Sequence, residues 1–142
     1  MTVKRALIVD DDYANRSIWD LMLTDHGYDV LTAADRTSGT EQVASDISLY
    51  LIDYHLPDGR GSEVIALARS QSPESVVVMV SMDDDSDVIR EAMNAGSNIF
   101  MVKPSSPLLI RELLSDIDTG NINPGVRQLI NRHGRRSYRD AT

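Results

Sequence analysis

Six polar side chains stand where this sequence turns from apolar to polar. Asp10, Asp11 and Asp12 follow "ALIV", Asp53 follows "LYLI", Ser81 follows "VVVMV" and Lys103 follows "IFMV". Carboxylates as close as the first three repel and raise one another's pKa. A chain that ends an apolar run on them either solvates them at a helix start or holds something positive among them. Oxygen donors without soft partners suit a hard divalent cation that keeps several waters, which describes Mg²⁺. The Lys103 ammonium would add positive charge to the same cluster. The chain has no cysteine, so disulfides, thiolate nucleophiles and cysteine-ligated zinc are excluded.

Bringing these residues together is the task of the elements around them. Short apolar runs recur at 6–9, 28–33, 49–52, 76–80 and 99–102. Between them lie stretches with helical spacing: Ile18, Leu21, Met22; Val64, Ile65, Leu67, Ala68; Val88, Ile89, Ala92, Met93; and Leu108, Leu109, Leu113, Leu114. Residues 37–46 are a weaker helix. Gly27, Gly96 and Gly120 stand where helix C-terminal glycines belong. The pattern is five β-α units. Nearly continuous apolar strands mean a parallel sheet covered on both faces, hence an open, doubly wound α/β domain over residues 1–120. In such sheets ligands bind outside the carboxyl ends of the strands, which is where the six polar residues stand.

Taken singly, several of these residues have plainer uses. Asp12 fits a helix N-cap. Asp83, Asp84 and Asp85 fit a solvated capping loop before the next helix. His26 and His133 fit ordinary surface positions. What no plain use explains is the ordered set of strand ends: Asp-Asp, Asp, Ser, Lys-Pro.

Charge divides the chain. Residues 1–120 carry 9 Lys+Arg against 21 Asp+Glu, a net −12, whereas residues 121–142 carry 5 against 1. A body at −12 is unsuited to nucleic acid. In the basic C-terminal tail, Val126, Leu129 and Ile130 fit one short helical face stopped by Gly134, with the rest expected mobile. No apolar run approaches the length of a membrane span, no signal-peptide core is present, and the expected compartment is the cytoplasm.

The motifs "LIVDDD", "LIDYHLPDGRGSEVI", "VVVMVS" and "MVKP" resemble the receiver domain of bacterial two-component response regulators, from residue 4 to about 119. The resemblance implies a flavodoxin-like five-stranded sheet of order 2-1-3-4-5. It implies that Asp53 is the phosphoacceptor, taking a phosphoryl group from a phosphohistidine on a histidine kinase or histidine phosphotransferase. Asp11 and Asp53 would ligate Mg²⁺ directly (Mn²⁺ able to substitute), Asp10 largely through water, and His55 through its backbone carbonyl. Ser81 would hydrogen-bond a phosphoryl oxygen and Lys103 would pair with another. Pro57 and Gly61 would shape the loop after the acceptor. A cis bond before Pro104 would aim Lys103 inward. Phe100 matches the aromatic that turns inward with Ser81 on activation, changing a surface of the fourth helix, fifth strand and fifth helix that meets a downstream target or a second copy. Met82 departs from the small residue usual beside the switch hydroxyl. His55 and Asp83 occupy positions that tune phosphoryl lifetime. Such a protein catalyses its own phosphorylation and dephosphorylation without being a conventional enzyme.

Other readings compete. A haloacid-dehalogenase-like phosphatase also sets Asp-x-Asp after its first strand, with Asp10 as nucleophile and Asp12 as acid/base. Ala14 then stands where Thr or Val is expected, and Asp53 has no task. A receiver-like interaction module that takes no phosphate is the third class. With no recognisable effector in residues 121–142, the expectation is a stand-alone receiver, the alternative being the receiver fragment of a longer transcription factor or enzyme.

Overall fold

The computed structural model describes residues 3–83, 85–104 and 106–122, and the backbone of 128–131 and 139–141. Its elements in order are β1 (Lys4–Val9), α1 (Tyr13–Asp25), β2 (Tyr28–Ala33), α2 (Arg36–Gln42), β3 (Ile47–Asp53), β4 (His55–Leu56), β5 (Gly59–Arg60), α3 (Gly61–Gln71), β6 (Val76–Ser81), α4 (Ser86–Ala95), β7 (Ile99–Val102), α5 (Pro107–Asp118), β8 (Gln128–Asn131) and β9 (Arg139–Ala141). β4 and β5 form a small antiparallel ladder of their own. The main sheet runs β2-β1-β3-β6-β7-β8-β9. Its first five strands pair in parallel, in the doubly wound order expected.

Alternation along each strand builds two cores. Leu7, Val9, Tyr50, Ile52, Val77, Met79, Phe100 and Val102 face α3 and α4, where Val64, Ile65, Ala68, Val88, Ala92 and Met93 close over them. Ala6, Ile8, Leu49, Leu51, Val78, Val80, Ile99 and Met101 face α1 and α5, meeting Trp19, Leu23, Ile110, Leu113 and Leu114. Because both faces are buried, both strand parities are apolar, which is why the runs read as continuous. Gly27, Gly96 and Gly120 all have positive φ behind α1, α4 and α5, the left-handed turn that glycine enters without a Cβ penalty.

Two elements differ from the sequence expectation. α2 ends at Gln42 rather than 46, because Val43 turns to an extended ψ of 131°. The Ala44 carbonyl then accepts from Tyr50 Oη and Ser72 Oγ. The second difference is the tail. Leu129 and Ile130, expected on a helical face, lie in strand β8, parallel to β7 with Ile99 opposite Ile130 and Phe100 opposite Asn131. β9 returns antiparallel to β8. The reason is the edge that a five-stranded sheet leaves: β7 would present a row of unpaired N–H and C=O groups. A segment too short to hold a helix by itself gains more by pairing there. Val126, His133 and Gly134 lie outside the described residues.

Candidate functional site

Register places the site. Val9 pairs with Ile52, Asp53 with Val80 and Ser81 with Val102, so Asp10, Asp53, Ser81 and Lys103 all reach the carboxyl rim within a residue or two of each other. Asp10, Asp53 and Ser81 are buried there, while Asp11 stays exposed. An open depression is lined by Asp11, Asp12, Asp53, His55, Met82 and Lys103. Met82, 80% exposed, stands at its mouth.

Lys103 lies between the two buried acids. Its Nζ is 3.1 Å from Asp10 Oδ2 and 3.1 Å from Asp53 Oδ2. The Lys103–Pro104 peptide is cis. Burial pushes the Asp53 carboxyl up to about 6 against the pull of Lys103, and Asp10 and Asp11 add to the push. For Lys103, burial opposes the charge, but Asp53 and Asp10 outweigh it and the pKa is raised.

Asp10 is held from several sides. Asp12 N–H donates to Oδ1 at 2.9 Å, Asn15 Nδ2 donates to Oδ2 at 2.5 Å, and Arg16 Nη1 donates to the Asp10 carbonyl at 2.6 Å. Asp12 is the N-cap of α1, accepting from Ala14 N–H. Asp85 caps α4, and Asp83 Oδ1 accepts from Asp85 N–H; Asp84 lies outside the described residues. Ser81 Oγ accepts from Asp83 N–H at 3.1 Å, which leaves its own proton for another acceptor. His55 Nε2 is 3.9 Å from Asp83 Oδ2, so these two side chains face one another beside the depression. Phe100 is wholly buried in the core beneath α4 in this conformation.

The backbone after Asp53 is equally fixed. Gly61 N–H donates to the Tyr54 carbonyl at 2.7 Å. A Cβ on Gly61 would lie 2.1 Å from the Asp53 carbonyl oxygen, so only glycine lets α3 start this close to Asp53. Pro57 and Asp58 form the turn between β4 and β5.

Asp10, Asp11 and Asp53 can each offer one carboxylate oxygen, the three lying within 4.8 Å of one another. An all-oxygen donor set, partly open to water and shared with one ammonium, fits Mg²⁺. Asp10, Asp11, Asp53 and Lys103 stand together at the rim, with Ser81 at the end of the neighbouring strand. Sequence reasoning missed Asn15 and Arg16, which reach back from the first turn of α1. It also missed Glu91 of α4, which accepts from Tyr54 Oη, Arg60 Nη1 and Ser62 Oγ. A polar residue three positions after a helix cap is the signal that could have found Asn15; a lone Glu on a polar helix face carries none.

Residues 6–115 match the family described as response regulator receiver domain. A cyclic di-GMP phosphodiesterase of Thermotoga maritima is 30% identical over 105 residues, covering 74% of this chain and 28% of that protein. A chemotaxis protein CheY homolog of Campylobacter jejuni is 27% identical over 118 residues, covering 80% of this chain and 91% of that one. The crystal structure of a CheY-like response regulator receiver domain protein from Methanospirillum hungatei superimposes with a TM-score of 0.74 at 31% identity, over 84% of this chain and 94% of that chain. The chain spans only 28%, 50% and 24% of the length of the first three curated relatives it matches.

Proposed function

The chain belongs to the response regulator receiver domain family, and from that premise we propose that it is a phosphoacceptor in a two-component or phosphorelay system, with Asp53 as the acceptor. The observation that carries this reading is Lys103 Nζ at 3.1 Å from both Asp10 and Asp53, under an open depression that a donor can enter. An Asp53 oxygen attacks the phosphorus of a phosphohistidine; the new O–P bond forms as the N–P bond breaks, and the imidazole nitrogen leaves with the electron pair and takes up a proton. Held by Asp10, Asp11 and Asp53, with the His55 carbonyl as a further donor, Mg²⁺ or Mn²⁺ would neutralise charge on the transferred oxygens. Lys103 does part of the same work and can turn from Asp53 to a phosphoryl oxygen without leaving its place. Ser81 supplies the free hydroxyl proton noted above.

Partners follow from the surface. Tyr13, Met82 and Leu108 are large, exposed and apolar, on segments that leave the carboxyl ends of β1, β6 and β7. They suit a histidine kinase or phosphotransferase better than a nucleic acid, which the acidic body repels. The output surface is α4, β7 and α5; a target or second copy docking there meets β8 as well. Residues 1–120 would be the receiver and 121–142 an appended segment. A second reading, service as the receiver of a longer regulator, is favoured by the small share of its relatives' length that it spans. Among the described residues no helix is long and apolar enough to cross a membrane.

The test is labelling with acetyl phosphate or a phosphohistidine protein in the presence of Mg²⁺. Label should appear on wild type and vanish in Asp53→Asn with the fold retained. Label persisting in Asp53→Asn but lost in Asp10→Asn would return the haloacid-dehalogenase-like assignment. No label on wild type from either donor would favour the interaction module.

A further inference from the structure

Asp10 is 2% exposed, and each of its oxygens already has a donor. A carboxylate can only accept, so the Asn15 amide must present its NH₂ group to it. That bond, 2.5 Å from Nδ2 to Oδ2, is short. Lys103 is the other partner: its Nζ donates to Asp10 Oδ1 at 3.3 Å and ion-pairs with Oδ2 at 3.1 Å, and it is shared with Asp53. The two donors differ in kind. Lys103 is a long, charged side chain that responds to whatever occupies Asp53. Asn15 is neutral, carries no charge to compete with a cation, and is fixed by its place. It stands in the first turn of α1, three residues after the Asp12 cap, where a side chain naturally reaches back past the helix start.

We propose that Asn15 is a positioning residue for the divalent-cation site, holding Asp10 ready for the ion whatever Lys103 does. This rests on the phosphoacceptor reading above and deepens it. When Lys103 turns toward a phosphoryl group, Asp10 keeps the Asp12 N–H on one oxygen and Asn15 on the other, so its plane stays fixed. Without Asn15, Oδ2 is left with Lys103 alone. Asp10 then follows the lysine, and the oxygens facing Asp11 and Asp53 lose their arrangement. Partners that orient metal-binding carboxylates in this way typically change metal affinity about 10–100-fold when removed.

The experiment is calorimetric titration of MgCl₂ into the metal-free full chain, for wild type, Asn15→Ala, Asn15→Gln and Asp11→Ala, with melting temperatures recorded without metal. Asn15→Ala should bind Mg²⁺ about tenfold or more weakly, while melting without metal near the wild-type temperature. Asn15→Gln, which keeps an amide donor on a longer stem, should fall between the two. If wild type and Asp11→Ala both fail to bind Mg²⁺, the cation site itself is wrong. If wild type binds, Asp11→Ala does not, and Asn15→Ala matches wild type, the site stands and the role of Asn15 is overturned. Equal weakening in Asn15→Ala and Asn15→Gln would assign the effect to packing and overturn it too.

Discussion

Asp53 carries a conflict that its surroundings only partly resolve. Burial, Asp10 and Asp11 favour its protonated form, and Lys103 favours its charged form; the balance leaves its pKa at about 6 against an ordinary 3.8. The folded protein therefore binds more protons than the unfolded chain between about pH 4 and 6, and stability from this group falls as pH rises through that window. Above it the penalty is constant. Asp53→Asn removes the group, so in metal-free protein the variant should gain stability over wild type steadily from pH 4 to 6 and hold that gain at higher pH. Urea midpoints measured at both ends of the window check this; a constant difference would mean that Asp53 titrates normally. The rim acids, Ser81 and Lys103 were legible in the sequence for one physical reason. A polar residue that ends a doubly buried apolar run has nowhere to go but the rim. Asn15 and Arg16 were missed: the place of Asn15 three residues after the cap marks a side chain that reaches back, but a polar residue in a first helical turn does not say whether it meets water or a carboxylate.

Among the elements, α4 is tied to the segment after Asp53 through its own Glu91. Glu91 collects Tyr54 Oη at 3.1 Å, Arg60 Nη1 at 3.1 Å and Ser62 Oγ at 2.6 Å. Tyr54 is the residue after Asp53, the proposed acceptor, and Arg60 and Ser62 flank the start of α3, so the tie joins the loop after Asp53 directly to the helix of the proposed output face. The Ser62 bond, then Tyr54 and Arg60, lower the Glu91 pKa, so the tie is present above the ordinary carboxyl range and is lost as pH falls through the lowered value. Glu91→Ala should lower stability by about 1 kcal/mol. Its amides in α4 should exchange with solvent faster, while those of α1 and α5 do not change. Unchanged exchange in α4 would show that the helix is held by Val88, Ala92 and Met93 alone. On the other flank, Asp58 fastens α2, accepting from the N–H groups of Arg36 and Thr37 and from Thr37 Oγ1. Neither tie could be read beforehand. Helix and strand positions follow from periodicity within a segment, but Glu91 and Asp58 act between segments, and the early end of α2 depends on the Ala44 carbonyl meeting Tyr50 and Ser72.

At the scale of the whole molecule, the sheet does not stop at β7. Two cores sandwich the sheet through β7, and their described members reach Ile122; β8 and β9 then extend the sheet beyond β7. Composition marked residues 121–142 as different in charge, but strand pairing is a contest between a short segment and an available edge, and the edge is visible only after the sheet is assembled. The consequence falls on Phe100, which is wholly buried and whose backbone lies opposite Asn131. The outer edge of β7 is the part of the proposed output face that a second copy or target would need, and β8 occupies it. Ile130 is paired on both sides, with Ile99 and with Arg139, so proline there removes a donor and places a ring within a flanked strand. Ile130→Pro should leave the melting temperature nearly unchanged, because the two cores are intact. It should speed amide exchange at Ile99 and Phe100, the two β7 residues that face β8, about tenfold or more, an opening of roughly 1.4 kcal/mol, while β1 and β3 stay protected. Ile130→Val, which keeps the backbone donor, should behave as wild type. With β8 displaced, beryllofluoride should promote self-association more strongly in Ile130→Pro than in wild type, if the face exchanges its own strand for a second copy. Equal exchange at Ile99 and Phe100 in wild type and Ile130→Pro would mean that β8 does not guard this edge, and α4 and α5 alone would then control access to it.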